Sequence, residues 1–449
     1  MKKALCGLFC LALAIGLGDR LPAADDAGDE LVQMTIGLVS DKDRDMRAVG
    51  LQQVREGAKG PAATRRFAAL LPKLTADAQA GLLDALGDRG DAAARPAARE
   101  AIKSPEEPVR CAALRALGPL GQAADVPLLA PWLATPGPEK AAARASLVRL
   151  HGQDVNAAIV AELKGAKPAV RAELPGVLAA RAAAECLPSV LAAAEDADAE
   201  VRVGALAALR HLAGPGQTAA VVKLLKAAKN DQEQWGAQSA LMSICTRGRE
   251  TCVEPILAGM ADASPSATAA LLAALGRAGG AKALEAIAAA TKDLRPVVQG
   301  AAVRLLANWS DTAAVPHLLA IAKQAGSLGQ HALAIQGLVR LASPLRDRPA
   351  NLPLLADVMK VARRPEEKRM VLGVLGGVPT PESLALILPA MDDPQLNDEA
   401  CLAAVLIAEK LSDPVRRRSV LQQARDKAKD SQIRQRAEEA LKSPGSPDR

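Results

Sequence analysis

The sequence has few aromatic residues and lacks the short motifs by which many enzymes are recognised. Aromatic side chains make up 1% of the 449 residues, and tyrosine is absent. None of the four histidines is followed by glutamate, and the chain has no glycine-rich phosphate loop, no Gly-x-Ser-x-Gly turn and no Cys-x-x-Cys pair. These absences argue against the common hydrolase, zinc-protease and nucleotide-binding classes. We therefore predict a non-enzyme without catalytic, cofactor-binding or metal-binding residues.

A strong excess of one charge is also missing. Lysine and arginine total 56 against 50 aspartate and glutamate, for a formal net charge of +6. Basic clusters occur at residues 363–369 and 416–418, but acidic residues are mixed into the same region and aromatic partners for base stacking are nearly absent. We interpret the clusters as solvated helix faces and expect no nucleic-acid partner.

What the sequence does contain is a helical pattern that recurs at a mean interval of about 32 residues. In residues 106–121, Val109, Ala113 and Leu117 fall at helical spacing and Gly118 marks the end of the helix. The position seven residues after each anchor is aliphatic in every copy. The anchors are Arg47, Gln79, Arg110, Ala143, Arg171, Arg202, Ala237, Thr268, Gln299, His331, Lys368, Asp398 and Arg434.

The best copies, residues 41–54, 104–121 and 194–214, combine acidic residues, Val-Arg or Met-Arg, and a helix rich in alanine or leucine. They resemble HEAT repeats, particularly the short bacterial type found in bilin lyases, over roughly residues 29–442. The family also places a proline early in the first helix of each hairpin. Such prolines recur 13 to 16 residues before the anchor, at Pro127, Pro188, Pro255, Pro316 and Pro353.

The periodicity predicts an all-α fold, because every periodic segment has the helical period and none has the two-residue period of a strand. We expect an α-solenoid of about thirteen antiparallel helix hairpins wound into a right-handed superhelix. Small alanine side chains bury little area each, so the stability should be the sum of many interfaces between neighbouring repeats.

The first 24 residues read as a Sec-type signal peptide. A basic head, Met1 to Lys3, precedes an apolar run of about fifteen residues, and small residues end at Ala24 before Asp25. The run is short for a membrane span, although an uncleaved anchor is an alternative. We expect a signal peptide at 1–24, the repeat solenoid at 25–442 and a disordered tail at 443–449, in a periplasmic or secreted protein without a stable membrane span after signal removal.

Two function classes remain. The first is an exported, non-catalytic scaffold that binds another protein or an extended peptide on a concave face lined by the second helices. The second, implied by the resemblance, is a lyase or other enzyme of the HEAT-like bilin-lyase type. The export signal and the lack of a clustered nucleophile favour the scaffold.

Candidate contact residues for a partner are few. The positions five residues after the anchors, expected near the inner surface, include Gln52, Asp84, Arg115, Arg304 and Gln336 and show no chemical theme. Tryptophans in different repeats are either interface anchors or packing residues, with packing favoured. These are Trp132, Trp235 and Trp309.

Four local features carry further predictions. Asp198 near Arg202 should cap a helix start or bridge to the next repeat. Pro175 falls in the middle of a second helix, which should kink or restart there. His151 and His211, near the ends of second helices, should bind the last carbonyls. Residues 343–349, which contain two prolines, should form a longer loop.

Five cysteines remain after signal removal, so at least one is unpaired within the chain. Cys111, Cys186 and Cys401 lie in separate repeats and are expected to be small buried side chains. Cys245 and Cys252 are joined by a short turn between antiparallel helices, which can bring them within disulfide distance in an oxidising compartment. A disulfide between Cys245 and Cys252 and two free thiols are both open alternatives.

Overall fold

The structure is a computed structural model that describes residues 24–343 and 351–443. Most of the predicted signal peptide, of the proline-containing loop at 343–349 and of the C-terminal tail at 443–449 therefore lies outside the described residues. Within them the chain forms 27 α-helices joined by short turns and 3-10 segments, with no β-strand. The predicted all-α solenoid class is confirmed, whereas the number of hairpins and the handedness stay predictions.

The chain divides into two units, residues 1–208 and 209–449. In the first unit, the second helices α2, α4, α6 and α8 pack against one another in succession, and each also packs on the helix before it in the chain. The helices are α1 (Ala24–Val39), α2 (Arg44–Glu56), α3 (Pro61–Ala68), α4 (Ala76–Arg89), α5 (Arg95–Ala101), α6 (Glu107–Leu120), α7 (Val126–Leu129), α8 (Pro138–Arg149), α9 (Val155–Gly165), α10 (Pro168–Arg171), α11 (Leu174–Ala180), α12 (Leu187–Ala193) and α13 (Ala199–Leu212), in which the division falls.

The second unit repeats the arrangement, with α15, α17, α19, α21, α23, α25 and α27 as second helices that pack in succession. Its helices are α14 (Thr218–Lys226), α15 (Asp231–Gly248), α16 (Val253–Met260), α17 (Pro265–Ala278), α18 (Ala281–Ala290), α19 (Pro296–Ala307), α20 (Val315–Gln324), α21 (Leu328–Ala342), α22 (Leu352–Val361), α23 (Pro365–Leu375), α24 (Pro381–Ile387), α25 (Asn397–Ala408), α26 (Pro414–Lys427) and α27 (Ser431–Lys442).

The core follows the repeat. The aliphatic residue seven positions after each anchor is buried in every copy except the last, where Leu441 is half-buried. Small residues let neighbouring second helices approach closely, because a Cβ added at Gly87 would lie 3.0 Å from the Cα of Ala116, and one at Gly337 would lie 2.8 Å from the Cα of Ala307. The alanine-rich composition is thus used for backbone contact between repeats.

The predicted interruption at Pro175 is confirmed. Helix α10 ends at Arg171, and α11 restarts at Leu174 with Pro175 in its first turn, where the missing N–H costs nothing. The backbone carbonyl of Ala172, in the break, lies where Gly204 of α13 makes its closest approach, since a Cβ at Gly204 would be 2.0 Å from that oxygen. The break and the glycine therefore fit each other.

Arginines near the C-terminal ends of second helices join consecutive repeats. The guanidinium of Arg89 donates to the carbonyls of Val54 and Gly57 at 2.8 and 3.0 Å, at the end of the preceding second helix. Arg181 binds the carbonyls at the end of α8 in the same way, with 2.8 Å to Leu147. In the second unit, Arg247 and Arg340 repeat the contact on α13 and α19. These side chains satisfy carbonyls that a helix end leaves without partners.

Acidic residues make polar contacts at the N-terminal ends of the second helices. Asp198 caps α13, as predicted, because its Oδ1 accepts hydrogen bonds from the backbone N–H of Glu200 and Val201. Between repeats, Arg110 donates to the nearly buried Glu139 at 2.8 Å. The hydrogen bond from Arg110 holds the pKa of the Glu139 carboxyl below its ordinary value. Both ends of the second helices are thus fixed by polar contacts.

His331 is the buried member of the histidine set. Its Nδ1 lies 2.9 Å from the carbonyl of Ala322 and its Nε2 lies 3.1 Å from Glu367 Oε2, with both side chains fully buried. Burial acts to raise the pKa of Glu367, but hydrogen bonds from Arg363 and Arg364 and the nearby His331 outweigh it and hold that pKa below its ordinary value. The cluster fixes the start of α23 against α20 and α21.

Candidate peptide-binding surface

Three second helices of the second unit, α15, α17 and α19, present side chains in the same register. The side chains of Asn230 and Ser264 cap the starts of α15 and α17, and Pro296 begins α19. Residues spaced by four, three and four positions share one helix face. We call this face the α15–α19 surface; its residues are Trp235, Ser239, Met242 and Thr246 of α15, Ser266, Ala270, Ala273 and Arg277 of α17, and Val297, Ala301, Arg304 and Asn308 of α19.

Two large apolar side chains stand at the N-terminal side of this surface. Trp235 is 67% exposed and Val297 is 56% exposed. Between them, α17 offers only Ser266 and small alanines at the corresponding positions. Two depressions of about 260 and 430 Å³ result, and they share Gln238 as a wall. A side chain from a partner can therefore contact Trp235 or Val297 without the protein having to rearrange.

The C-terminal side of the surface is cationic. Arg210 at the end of α13, Arg277 of α17 and Arg304 of α19 are exposed and line the two depressions. Within the described part of the chain, none of the three side chains has an ion-pair partner. No aspartate or glutamate lines either depression. The surface thus combines apolar contacts with unneutralised positive charge.

The tryptophans occupy different environments. Trp309 is 6% exposed and its indole Nε1 is buried without a hydrogen-bond partner, while Trp132 is half-buried. These two are packing residues, as favoured from the sequence. Trp235 departs from that expectation, because most of its side chain is exposed and the equivalent residue of the next repeat is the small Ser266.

The residues five positions after the anchors lie in two different environments. In the second unit, Met242, Ala273 and Arg304 lie together on the α15–α19 surface. In the first unit, Asp84 and Arg115 pair with each other at 2.8 Å. The sequence therefore predicted which row of residues lies on this side of the second helices. Which of the charged residues pair with each other depends on how adjacent helices pack and could not be predicted from the sequence.

Cys245 and Cys252 are buried side by side as free thiols in the structure. Burial and the neighbouring Cys252 thiol raise the pKa of Cys245 well above its ordinary value. Because the thiolate is the reactive form, we expect thiol–disulfide exchange at Cys245 to be slow in the folded protein. A disulfide between them stays a prediction. The other three cysteines are also buried, which agrees with their expected packing role.

No group of three or more His, Cys, Asp or Glu side chains in residues 24–343 and 351–443 is arranged to hold a metal ion. In the same residues, every helix is too short or too polar to cross a bilayer.

Comparison with known proteins agrees with this architecture. Residues 64–148 match the family model of HEAT repeats, so the chain contains repeats of this class, as the pattern of residues 104–121 indicated. No curated protein matches the sequence.

Crystal structures of the karyopherin Kap121p are similar in fold. The complex with the SUMO protease Ulp1p superposes with a TM-score of 0.52 at 13% identity, covering 93% of this chain and 53% of that one. The complex with the extreme C-terminus of the protein phosphatase Cdc14p has a TM-score of 0.51 at 13% identity, covering 90% and 54%. The complex with Nup53p has a TM-score of 0.51 at 14% identity, covering 93% and 53%. This chain therefore spans about half of the karyopherin chain and shares its fold.

Proposed function

We propose that the protein is an exported, non-catalytic scaffold that binds a partner protein or an extended peptide on the α15–α19 surface. The observation that carries the proposal is the exposure of Trp235 on α15 and Val297 on α19 in the same register, with the small side chains of α17 between them. Exposed aromatic side chains beside shallow depressions are typical anchors of protein interfaces. The second helices are also the elements that we expect to line the concave side of the solenoid.

The fold supports a binding role. Several of the karyopherin structures that resemble this chain are complexes with protein ligands. A fold alone does not determine function, so the proposal rests on the α15–α19 surface, and the karyopherin complexes only support it.

Export is the second part of the proposal and rests on the pattern of the first 24 residues. A C-terminally tagged chain should be recovered from the periplasmic or culture fraction with a mature N-terminus near residue 25. Full-length protein retained in the cytoplasm would contradict export and would leave the binding surface to be tested separately.

The binding test is affinity purification from that fraction with matched variants. We expect a partner that is recovered with the wild-type chain and lost with Trp235→Ala or Val297→Ser. The controls are Leu328→Ala and Val415→Ser, which remove exposed apolar side chains elsewhere; like Val297, Val415 directly follows a helix-starting proline. A partner that all four variants retain would place the binding site elsewhere.

The enzyme alternative has its own test. A spectral screen of the purified protein with tetrapyrroles detects a lyase of the bilin type, because attachment of the chromophore changes its absorption. A change in absorption with turnover would replace the scaffold proposal.

A further inference from the structure

We infer that the α15–α19 surface takes an extended acidic segment of a partner protein, in which apolar residues alternate with aspartate or glutamate. The inference rests on the proposed function and specifies the chemistry of its ligand. It follows from which charges the surface leaves without partners and from where they lie relative to the apolar side chains.

Most arginines among the described residues have hydrogen-bond or ion-pair partners. Arg89 and Arg340, for example, bind backbone carbonyls. Arg295 pairs with Asp293 at 2.7 Å, and its hydrogen bonds help to lower the pKa of Asp293 to about 2. Arg277 and Arg304 differ because they are exposed, lack an ion-pair partner among the described residues and line the two depressions of the α15–α19 surface, which contain no carboxylate. Arg277 also borders a third depression, whose lining includes Glu250 and Asp311, whereas Arg304 does not. A ligand with carboxylates therefore supplies the missing countercharge.

The apolar and the cationic side chains lie on opposite sides of the surface. On α19, Val297 and Arg304 are seven residues apart, which is about 10 Å along the helix axis. The same order holds between α15 and the end of α13, where Trp235 and Arg210 line one depression. An extended peptide that runs across the helices points successive side chains to opposite sides, so it presents apolar residues to the N-terminal side and acidic residues to the C-terminal side.

The width of the surface sets the length of the segment that it can take. Neighbouring helix axes are about 8–10 Å apart, so crossing from α15 to α19 covers about 20 Å, and an extended chain advances about 3.3 Å per residue. About six residues span the axes, and about ten reach beyond both edges. A short linear segment is therefore sufficient.

The probe is a fluorescein-labelled synthetic peptide of about ten residues in which leucine alternates with glutamate, followed by fluorescence anisotropy. Its matched control has lysine at each glutamate position. A single-stranded oligonucleotide with the same number of negative charges tests whether charge alone is recognised. We expect binding of the acidic peptide only, and affinity that falls as salt rises from about 50 to about 200 mM.

Charge-reversal variants test the residues. Arg277→Glu combined with Arg304→Glu should weaken binding of the acidic peptide at least about tenfold. Arg304→Gln should have a smaller effect in the same direction. Arg418→Glu is the matched control, because Arg418 is likewise exposed on a helix but lies on α26, and it should leave binding unchanged. Circular dichroism melting checks that all variants stay folded.

The outcomes separate this inference from the proposed function. Equal binding of the lysine peptide, or of the oligonucleotide, would overturn the acidic-peptide assignment. If only the lysine peptide binds and Trp235→Ala abolishes that binding, the surface binds peptides but not acidic ones. If a partner is captured through Trp235 while none of these probes binds, the inference fails and the proposed function stands.

Discussion

Replacing Gly204 by alanine is expected to destabilise the first unit, although alanine is the better helix former. The added Cβ would lie 2.0 Å from the carbonyl oxygen and 3.0 Å from the carbonyl carbon of Ala172. Both atoms belong to the backbone, so relief requires a shift of α13 or of the break between α10 and α11. Overpacking of this kind costs about 1–3 kcal/mol, and the gain in helix propensity offsets up to about 1 kcal/mol. We expect a net loss of about 1–2 kcal/mol.

Gly373→Ala provides the matched control. Gly373 also lies inside a second helix, α23, but it is exposed and nothing lies within 4 Å of a Cβ at this position. Here the substitution should stabilise the protein by about 0.5–1 kcal/mol. Urea titration followed by circular dichroism measures both variants against the wild type. Equal stabilisation by the two substitutions would show that the close approach of Gly204 to Ala172 does not exist in solution.

Three other predictions concern polar groups and thiols. Arg89→Ala should cost about 1–3 kcal/mol in urea titrations, because the carbonyls of the preceding repeat lose their donor; an unchanged midpoint would mean that water replaces the side chain. Glu367 contributes stability that is fully present above its ordinary pKa, 4.5, and is lost as the pH falls through its lower folded value. Glu367→Gln should therefore reduce the drop in urea midpoint on acidification, and an identical pH profile would contradict this role. For the disulfide, peptide mapping of unreduced, unfolded protein should yield a peptide linking Cys245 and Cys252, and alkylated thiols at both positions would end the proposal.

Periodicity was enough to predict the helices and their buried rows. The spacing of Leu86, Leu117 and their equivalents specifies the core because each second helix buries one face. Which face is buried does not depend on the residues that the neighbouring repeat carries. The restart at Pro175 was also predictable, since proline acts on its own turn. These features are local in the chain or repeat along it.

The binding surface and the arginine contacts could not be predicted in the same way. Trp235 is exposed because the equivalent residue of the next repeat, Ser266, is small, which is a property of two repeats together. Arg89, Arg181 and Arg247 stand ten residues after their anchors, but Arg340 stands nine residues after its anchor and the other copies carry different residues at the tenth position. To predict these contacts from the sequence, one would have to know that this position faces the end of the preceding second helix.

Because of the arginine contacts, the order in which the repeats are synthesised determines when each helix end can be completed. During synthesis the end of α2 emerges before Arg89, so its carbonyls stay bound to water until the following repeat has been made and has docked. At the other end, α27 is closed differently: Arg417 of α26, within the same hairpin, donates to the carbonyls of Ala440 and Ser443. This hairpin receives its closing donor from an earlier residue and can complete its helix end as soon as it leaves the ribosome, whereas the repeats closed by Arg89 and Arg181 must wait for a later one.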